Sequence, residues 1–426
     1  MKLAGEYLTF DDTVIVPGLS PVEPHEVDIT GRVTRGIHIS IPVVSSPMDT
    51  VTEGRMAIAL ARMGAVGVIH RNLSREEQAS MVKSVKEATP SPWIEIPRAF
   101  VKEEPGILPI RMAESGSRAV LLLDGPQLVG ILLDPDADPS VWHGKAVWFW
   151  RIMTTIRPMP SLDSEGRLLV GAAVSPYDLE RAQALERAGA DFLVTDVAHL
   201  HNENALRMLS KLVKNVSIDV VAGNLGTREA VLDVLSRVEE VGGLRMGISS
   251  GSICSTGEVA GAAVPTLTAV LNARSALEEL GAMDKIPIIA DGGIRNPGDA
   301  AKAIIAGASS VMLGRFLAGT LEAPGPVITV GGRRYKPYRG MASRGAMERR
   351  HAADRYSRPS KALEEGVEGL VEFTGSVVAR LGEIALGLQA ALGYAGAPNM
   401  RRAWSASLAR VTPQGRSEVK PHDVIF

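Results

Sequence analysis

Eight apolar stretches, each apolar throughout rather than alternating, constrain this chain most. They cover residues 41–49, 65–70, 167–174, 191–197, 218–224, 244–248, 286–291 and 309–314. A strand that is apolar on both faces is buried on both, which points to a parallel sheet. Helical patterns lie between the stretches, for example over 53–63, 178–188 and 297–306. Eight β/α units is the count of a TIM barrel, an α/β fold with its chemistry at the C-terminal ends of the strands. An open doubly wound sheet is the alternative, but it does not predict eight strands whose polar residues all collect at one end.

The alternation breaks from about residue 90 to 163. Prolines cluster there, Trp142, Trp148 and Trp150 bunch together, and 118–133 reads as two short strands around Asp124-Gly125. The division is therefore a first barrel part over 1–89, an inserted piece over 90–163, and the barrel remainder over 164–426. At 426 residues the chain is long enough for one large barrel and a small accessory unit. Its 46 basic and 48 acidic residues nearly cancel, so no global field favours nucleic acid or a membrane surface. One cysteine excludes an intrachain disulfide and fits a reducing cytosol. The first residues lack a basic region followed by an apolar run, so no signal peptide is expected. No apolar stretch approaches the length of a membrane span. A cytoplasmic protein is expected.

Cys254 sits in the Gly/Ser-rich stretch 247–257, directly after the apolar run 244–248. A thiol on a flexible loop at a strand end is placed for nucleophilic attack; a free cysteine packed as a small hydrophobe is the alternative. Other strand ends carry polar residues too: Ser46 and Met48 after the first strand, Asp196 after the fourth, Asp291-Gly292-Gly293 after the seventh, and Gly314-Arg315 after the eighth. Glycine-rich turns at the last two strands suit a phosphate, bound by backbone amides, and a carboxylate such as Asp291 suits a ribose diol. His199 and His201 follow Asp196, but no third ligand lies at metal-site spacing. Residues 328–370 are too long for an ordinary connection and read as a lid or flap.

The stretch Gly251-Ser252-Ile253-Cys254-Ser255-Thr256 resembles the active-site loop of the IMP dehydrogenase/GMP reductase family, Gly-Ser-Ile-Cys-Thr-Thr. So do Leu8-Thr9-Phe10-Asp11-Asp12, Ser45-Ser46-Pro47-Met48, Tyr338-Arg339-Gly340-Met341-Ala342-Ser343, Asp354-Arg355-Tyr356 and Glu364-Glu365-Gly366-Val367-Glu368-Gly369. The chain departs from the family at Val197 and Ala198 (usually serines), Ser249-Ser250 (usually Gly-Pro), Gly257 (usually Arg) and Arg315 (usually Ser).

The resemblance implies an enzyme acting at C2 of a purine nucleotide. Cys254 would be the nucleophile, Arg355 and Tyr356 the water-activating pair of the flap, and Thr256 with Glu365 a second proton route. Ser46, Met48, Ser252, Asp291, Gly292, Gly293, Gly314 and Arg315 would hold IMP, together with the turn Tyr338, Arg339, Gly340, Met341, Ala342 and with Glu365. Asp196, Gly247, Ile248 and Ser249 would border the nicotinamide of NAD. A monovalent cation, potassium in the family, would lie at the carbonyls of Gly251 and Cys254 with Glu418 of the tail Glu418…His422-Asp423. Side chains at 249 and 250 restrict the backbone, which predicts a weaker potassium dependence. Arg315 would either meet the phosphate directly or fill its pocket. The insert resembles one hairpin of a CBS module, shortened and without a second copy. A homotetramer is implied, with IMP and XMP as the small-molecule partners. GMP reductase, converting GMP with NADPH, and a catalytically silent nucleotide-binding protein are the alternatives.

Overall fold

The computed structural model describes residues 5–90, 98–100, 119–124, 127–133, 159–348 and 364–420. The chain divides into two compact units, one up to Pro90 and from Pro160 onward, the other Ser91–Met159. In the larger unit each strand of the central sheet is followed by a helix. The order is β1 (Val43–Ser45), α1 (Gly54–Arg62), β2 (Gly67–Ile69), α2 (Arg75–Glu87), β3 (Val170–Val174), α3 (Leu179–Arg187), β4 (Phe192–Thr195) and α4 (Glu203–Val213). It continues through β5 (Asp219–Leu225), α5 (Arg228–Arg237), β6 (Gly243–Met246), α6 (Thr266–Glu279), β7 (Ile288–Asp291), α7 (Pro297–Ala306), β8 (Ser310–Leu313) and α8 (Val377–Tyr394).

The strands pair in parallel in the order β1-β8-β7-β6-β5-β4-β3-β2. The two ends of that list also meet. Val66 N–H donates to the Val43 carbonyl at 3.1 Å, and Ser45 N–H donates to the Val66 carbonyl at 3.0 Å. The sheet therefore closes on itself into a TIM barrel, and the open-sheet alternative is excluded.

Six of the strands are buried at every residue. The exceptions in the other two are Asp219, Asn224 and Asp291. Val44, Val68, Val194, Val221, Ile289 and Met312 belong to the buried core, with the Phe192 ring among them. That ring fits because residue 171 is glycine: a Cβ there would lie 2.4 Å from it. Helix starts are written locally. Ser74 and Glu77 form a reciprocal capping box before α2, and Asn296 accepts from Asp299 N–H ahead of Pro297 in α7.

In the smaller unit, Ala119–Asp124 and Gln127–Leu133 pair antiparallel, and Arg98–Phe100 adds a parallel strand. This unit ends at Met159, short of residue 163, because the next segment is tied to the barrel. Ser161 N–H donates to the Ala61 carbonyl at 2.8 Å, and Leu162 bridges to Leu168.

Lys86, in the last turn of α2, is buried with its Nζ donating to Asp191 at 2.7 Å, Asp163 at 2.9 Å and the Leu168 carbonyl at 3.0 Å. Burial pushes the Asp191 carboxyl up despite its bonds to Lys86. At Asp163 burial acts the same way but is outweighed by hydrogen bonds from Arg167 and Lys86, which bring it down to about 2. Lys86 bridges two part-buried carboxylates, of which Asp163 also meets Arg167 while Asp191 has no other cation among the described residues, so removing it strands the Asp191 charge. Lys86→Met is expected to cost about 3–5 kcal/mol of stability, read as a lowered thermal midpoint, while nucleotide binding by the folded fraction is unchanged.

Candidate active site

The cysteine loop leaves the barrel at the C-terminal end of β6. Its backbone turns at Gly247 (φ 137°) and again at Ser249 (φ 56°), a left-handed conformation that a non-glycine residue adopts rarely. The restriction expected from a side chain at 249 is therefore not found: serine takes the glycine-like conformation, and its side chain is used. Ser249 Oγ accepts the Gly257 N–H at 2.7 Å and lies 3.6 Å from Cys254 Sγ. Ser250 Oγ donates to the Asp291 carbonyl at 3.0 Å and meets Thr266 Oγ1 at 2.8 Å, which pins the loop to the end of β7. Cys254 is exposed, so the packed-hydrophobe reading fails.

A second contact fixes the loop from the other side. Cys254 forms an antiparallel bridge with Gly366. Ser255 N–H donates to the Glu365 carbonyl and Val367 N–H to the Ile253 carbonyl, both at 3.1 Å. This places Thr256 Oγ1 3.3 Å from Cys254 Sγ and 3.0 Å from Glu365 Oε2. Thiol, hydroxyl and buried carboxylate thus form one continuous relay. The turn 340–343 stacks on the bridge: Gly340 N–H donates to the Val367 carbonyl at 3.0 Å, and Glu365 N–H to the Ala342 carbonyl at 3.2 Å. A Cβ on Gly340 would lie 2.8 Å from the Ile253 carbonyl oxygen, so glycine is needed there.

At the mouth of the barrel Asp196 is fully buried between two buried arginines. Arg71 donates to its backbone carbonyl at 2.9 Å and lies 3.4 Å from its carboxylate; Arg245 is 3.3 Å away on the other side. Arg245 also reaches Asp291 Oδ2 at 2.8 Å, and Asn224 Nδ2 reaches the same oxygen at 3.2 Å and the Gly247 carbonyl at 3.0 Å. Among the described residues Asp291 Oδ1 has no hydrogen-bond partner, so one oxygen is left for a hydroxyl donor. Asn224 Oδ1 is likewise buried and unpartnered among the described residues, an acceptor beside Gly247 suited to an amide donor such as a carboxamide. Arg71, Arg245 and Asn224 were not singled out from the sequence. The signal at Arg245 was available: an arginine inside an apolar strand requires a buried anion.

A pocket of about 260 Å³ opens beside this network. Ser46, Met48, Gly251 and Ser252 line one part; Asp291, Gly292, Gly293, Gly314, Arg315 and Tyr338 line another. Gly292 has φ 94°, and a Cβ there would strike Ser250 Oγ at 2.3 Å. Tyr338 is buried, with its hydroxyl bonded to the Ser252 side chain and the Arg315 backbone. Burial pushes its pKa up to about 12, so it stays protonated. Arg315 is exposed at the pocket and does not fill it as a plug. Arg295, in the same turn as Gly292 and Gly293, is held by Asp11 and Asp299.

Not every predicted residue joins the pocket. Arg339 turns its guanidinium to Asp49, buried behind the first strand, at 2.7 Å; Met341 Sδ accepts the Asp49 N–H at 3.4 Å. Arg355 and Tyr356 lie outside the described residues, as do His422 and Asp423. Glu418 is exposed at the end of the helix Pro413–Glu418; Arg416 of that helix pairs with Asp12, and Lys420 just beyond it pairs with Asp11. His201 binds Asp233 at 2.7 Å, edge-on to His199. Among the described residues no group of three or more His, Cys, Asp or Glu side chains could hold a metal ion. No helix among them is long and apolar enough to cross a membrane.

The fold and site define a class: a TIM-barrel enzyme whose only thiol stands on the loop bordering a polar, nucleotide-sized pocket. The chain belongs to the IMP dehydrogenase/GMP reductase family, whose domain model matches residues 7–422. It is 42% identical to the inosine-5'-monophosphate dehydrogenase of Korarchaeum cryptofilum, over 98% of this chain and 96% of that protein. Identity to the enzyme of the same name from Thermoplasma acidophilum is also 42%, over 98% and 95%. Among solved structures it is similar to a cysteine-to-alanine variant of Trypanosoma brucei GMP reductase in complex with guanosine 5'-monophosphate. That match has a TM-score of 0.77 and 35% identity, covering 99% of this chain and 98% of the other.

The Asp49–Arg339 pair gives this region a pH dependence. Burial alone would raise the Asp49 carboxyl, but hydrogen bonds from Arg339 and Asn72 outweigh it and hold it below its ordinary value. A carboxylate depressed in the folded state stabilises above its unfolded pKa, and that contribution is lost as pH falls through the folded value. Below about pH 4 the wild type should lose stability more steeply than Asp49→Asn. Urea unfolding of both between about pH 3 and 6 reads the difference.

Proposed function

We propose that this protein oxidises IMP to XMP with NAD, in guanine nucleotide synthesis, through a covalent bond to Cys254. The observation that carries the reading is the Cys254–Thr256–Glu365 relay at the pocket's edge, joined to the family membership. In this reading Cys254 Sγ adds to C2 of the purine, and its proton leaves toward Thr256 and Glu365. NAD held at Gly247, Ile248 and Ser249 would supply the acceptor for the hydride of C2. Water then hydrolyses the thioimidate, releasing XMP and restoring the thiol.

The pocket residues supply the binding. Gly292, Gly293 and Gly314 with Ser46, Ser252, Arg315 and Tyr338 take the phosphate end, Asp291 Oδ1 takes the ribose diol, and Met48, Gly340, Met341, Ala342 and Glu365 border the base. Gly247, Ile248 and Ser249 border the nicotinamide, with Asn224 Oδ1 as an acceptor and Asp196 behind it. Arg355 activates the water and Tyr356 orients it. Arginine is a poor base at its usual pKa, so this pair rests on the family motif. A potassium ion at the carbonyls of Gly251 and Cys254, with Glu418, belongs to the same reading. This part rests on the family motif; in the loop the Gly251 carbonyl accepts the Cys254 N–H at 3.1 Å, which leaves it one further lone pair. The Ser91–Met159 unit is a degenerate CBS-like piece, and the enzyme is a cytoplasmic homotetramer that engages neither nucleic acid nor membrane.

GMP reductase is the second reading, favoured by the structural likeness to that enzyme; the same thiol, hydroxyl and carboxylate would serve it. A silent nucleotide-binding protein is the third. The assay that separates them follows nicotinamide absorbance with IMP plus NAD, and separately with GMP plus NADPH. Only the first pair should react. Cys254→Ala should abolish turnover while calorimetry still detects IMP binding.

Arg355→Ala distinguishes the two enzymes more finely. It should leave hydride transfer intact and slow hydrolysis about 10²–10⁴-fold. Rapid mixing with IMP and NAD should then give a burst of NADH of about one equivalent per site, followed by a slow phase. Oxidation of NADPH with GMP, and no burst with IMP, would identify the reductase instead.

A further inference from the structure

The hydrogen atoms around the thiol can be counted, and they assign Ser249 a role that the relay leaves open. Thr256 Oγ1 donates to Glu365 Oε2 at 3.0 Å, where the carboxylate oxygen accepts. The single Thr256 proton therefore points at Glu365, and the Thr256 oxygen is left to accept from the thiol 3.3 Å away. Thr256 has no proton to offer the sulfur once the thiol proton has gone. Ser249 is in the opposite position. The Gly257 N–H 2.7 Å away can only donate, so Ser249 Oγ accepts there. Its own proton is not used in that contact, and Cys254 Sγ lies 3.6 Å away: the thiol can donate to Ser249 Oγ, and once its proton has gone the sulfur can accept from it.

We propose that Ser249 is a positioning residue for the nucleophile: its O–H donates to Cys254 Sγ and holds the sulfur as the S–H bond breaks. The proton moves to Thr256 Oγ1 as the Thr256 proton moves to Glu365 Oε2, and the sulfur keeps the electron pair that attacks. Two further features fit this role. Ser249 occupies a left-handed backbone position (φ 56°) that glycine would hold without cost, so the side chain is present despite the conformation. Gly257 is its match: a Cβ at 257 would lie 3.2 Å from Ser249 Oγ and crowd it. The inference rests on the reading of Cys254 as the nucleophile.

The test compares S249G and S249A with wild type in the intact protein. Because Cys254 is the only cysteine in the chain, alkylation by iodoacetamide at fixed pH, followed by intact mass, reports this sulfur alone and needs no turnover. A hydrogen bond to an ionised group is worth roughly tenfold or more, so both variants should be alkylated about tenfold more slowly. In the dehydrogenase assay kcat should fall while KM for the nucleotide stays unchanged. Glycine adopts the backbone of residue 249 freely, so S249G keeps that conformation and removes the hydroxyl with its contacts to Cys254 Sγ and Gly257 N–H, whereas S249A removes the same contacts and strains the backbone. If S249G is slowed by less than about threefold, the proposal is wrong, and slow S249A beside fast S249G would assign the effect to loop shape and overturn it equally. Should the wild type turn over neither substrate pair, the functional reading fails while the alkylation comparison still decides the role of Ser249.

Discussion

The short antiparallel contact between the cysteine loop and residues 365–367 is the constraint on which the site depends. Loop and partner are more than a hundred residues apart, and neither belongs to a long element. Two backbone hydrogen bonds align them, Ser255 to Glu365 and Val367 to Ile253. Without that register Thr256 would not meet both Cys254 and Glu365, and the turn 340–343 would lose the surface on which Gly340 and Ala342 dock. The thiol relay and the turn 340–343 thus share one support. The barrel supplies the other: Ser250 and Thr266 fasten the loop to the Asp291 carbonyl at the end of β7.

Beneath this loop the mouth of the barrel is lined by charge that is paired before any ligand arrives. Asp196 sits between Arg71 and Arg245, and Arg245 continues to Asp291. Buried charges of this kind are tolerated only when each has partners, and the chain uses side chains from four different strand ends to provide them. The outcome is a rigid rim with selected atoms left over, Asp291 Oδ1 and Asn224 Oδ1, facing a polar pocket. Rigidity of this sort suits a site that must hold a reacting carbon within bonding distance of a sulfur.

The barrel was legible because strands apolar on both faces have no other home than a parallel sheet covered on both sides. The cysteine loop was legible because glycine and serine interrupt an apolar run beside the only thiol. Long-range pairings were not. Arg71 meets Asp196 across 125 positions and Arg339 meets Asp49 across 290, and no local pattern encodes either. Arg339 shows the difference well: it was expected to bind the nucleotide from the turn 338–343, but its side chain is turned to Asp49 and braces the turn from behind. Ser249 shows the converse. Read as a residue that would restrict the loop, it instead adopts the backbone of glycine and adds a hydroxyl beside the thiol. Backbone conformation at one residue decided that, and sequence does not carry it.

In the proposed reaction the single thiol bonds to the nucleotide during turnover. The most direct test is mass spectrometry of enzyme quenched in acid while turning over IMP and NAD, with the peptide containing Cys254 isolated. That peptide should carry the mass of a nucleotide monophosphate joined through sulfur. An unmodified Cys254 peptide in every quenched sample, while NADH accumulates at the steady rate, would contradict it.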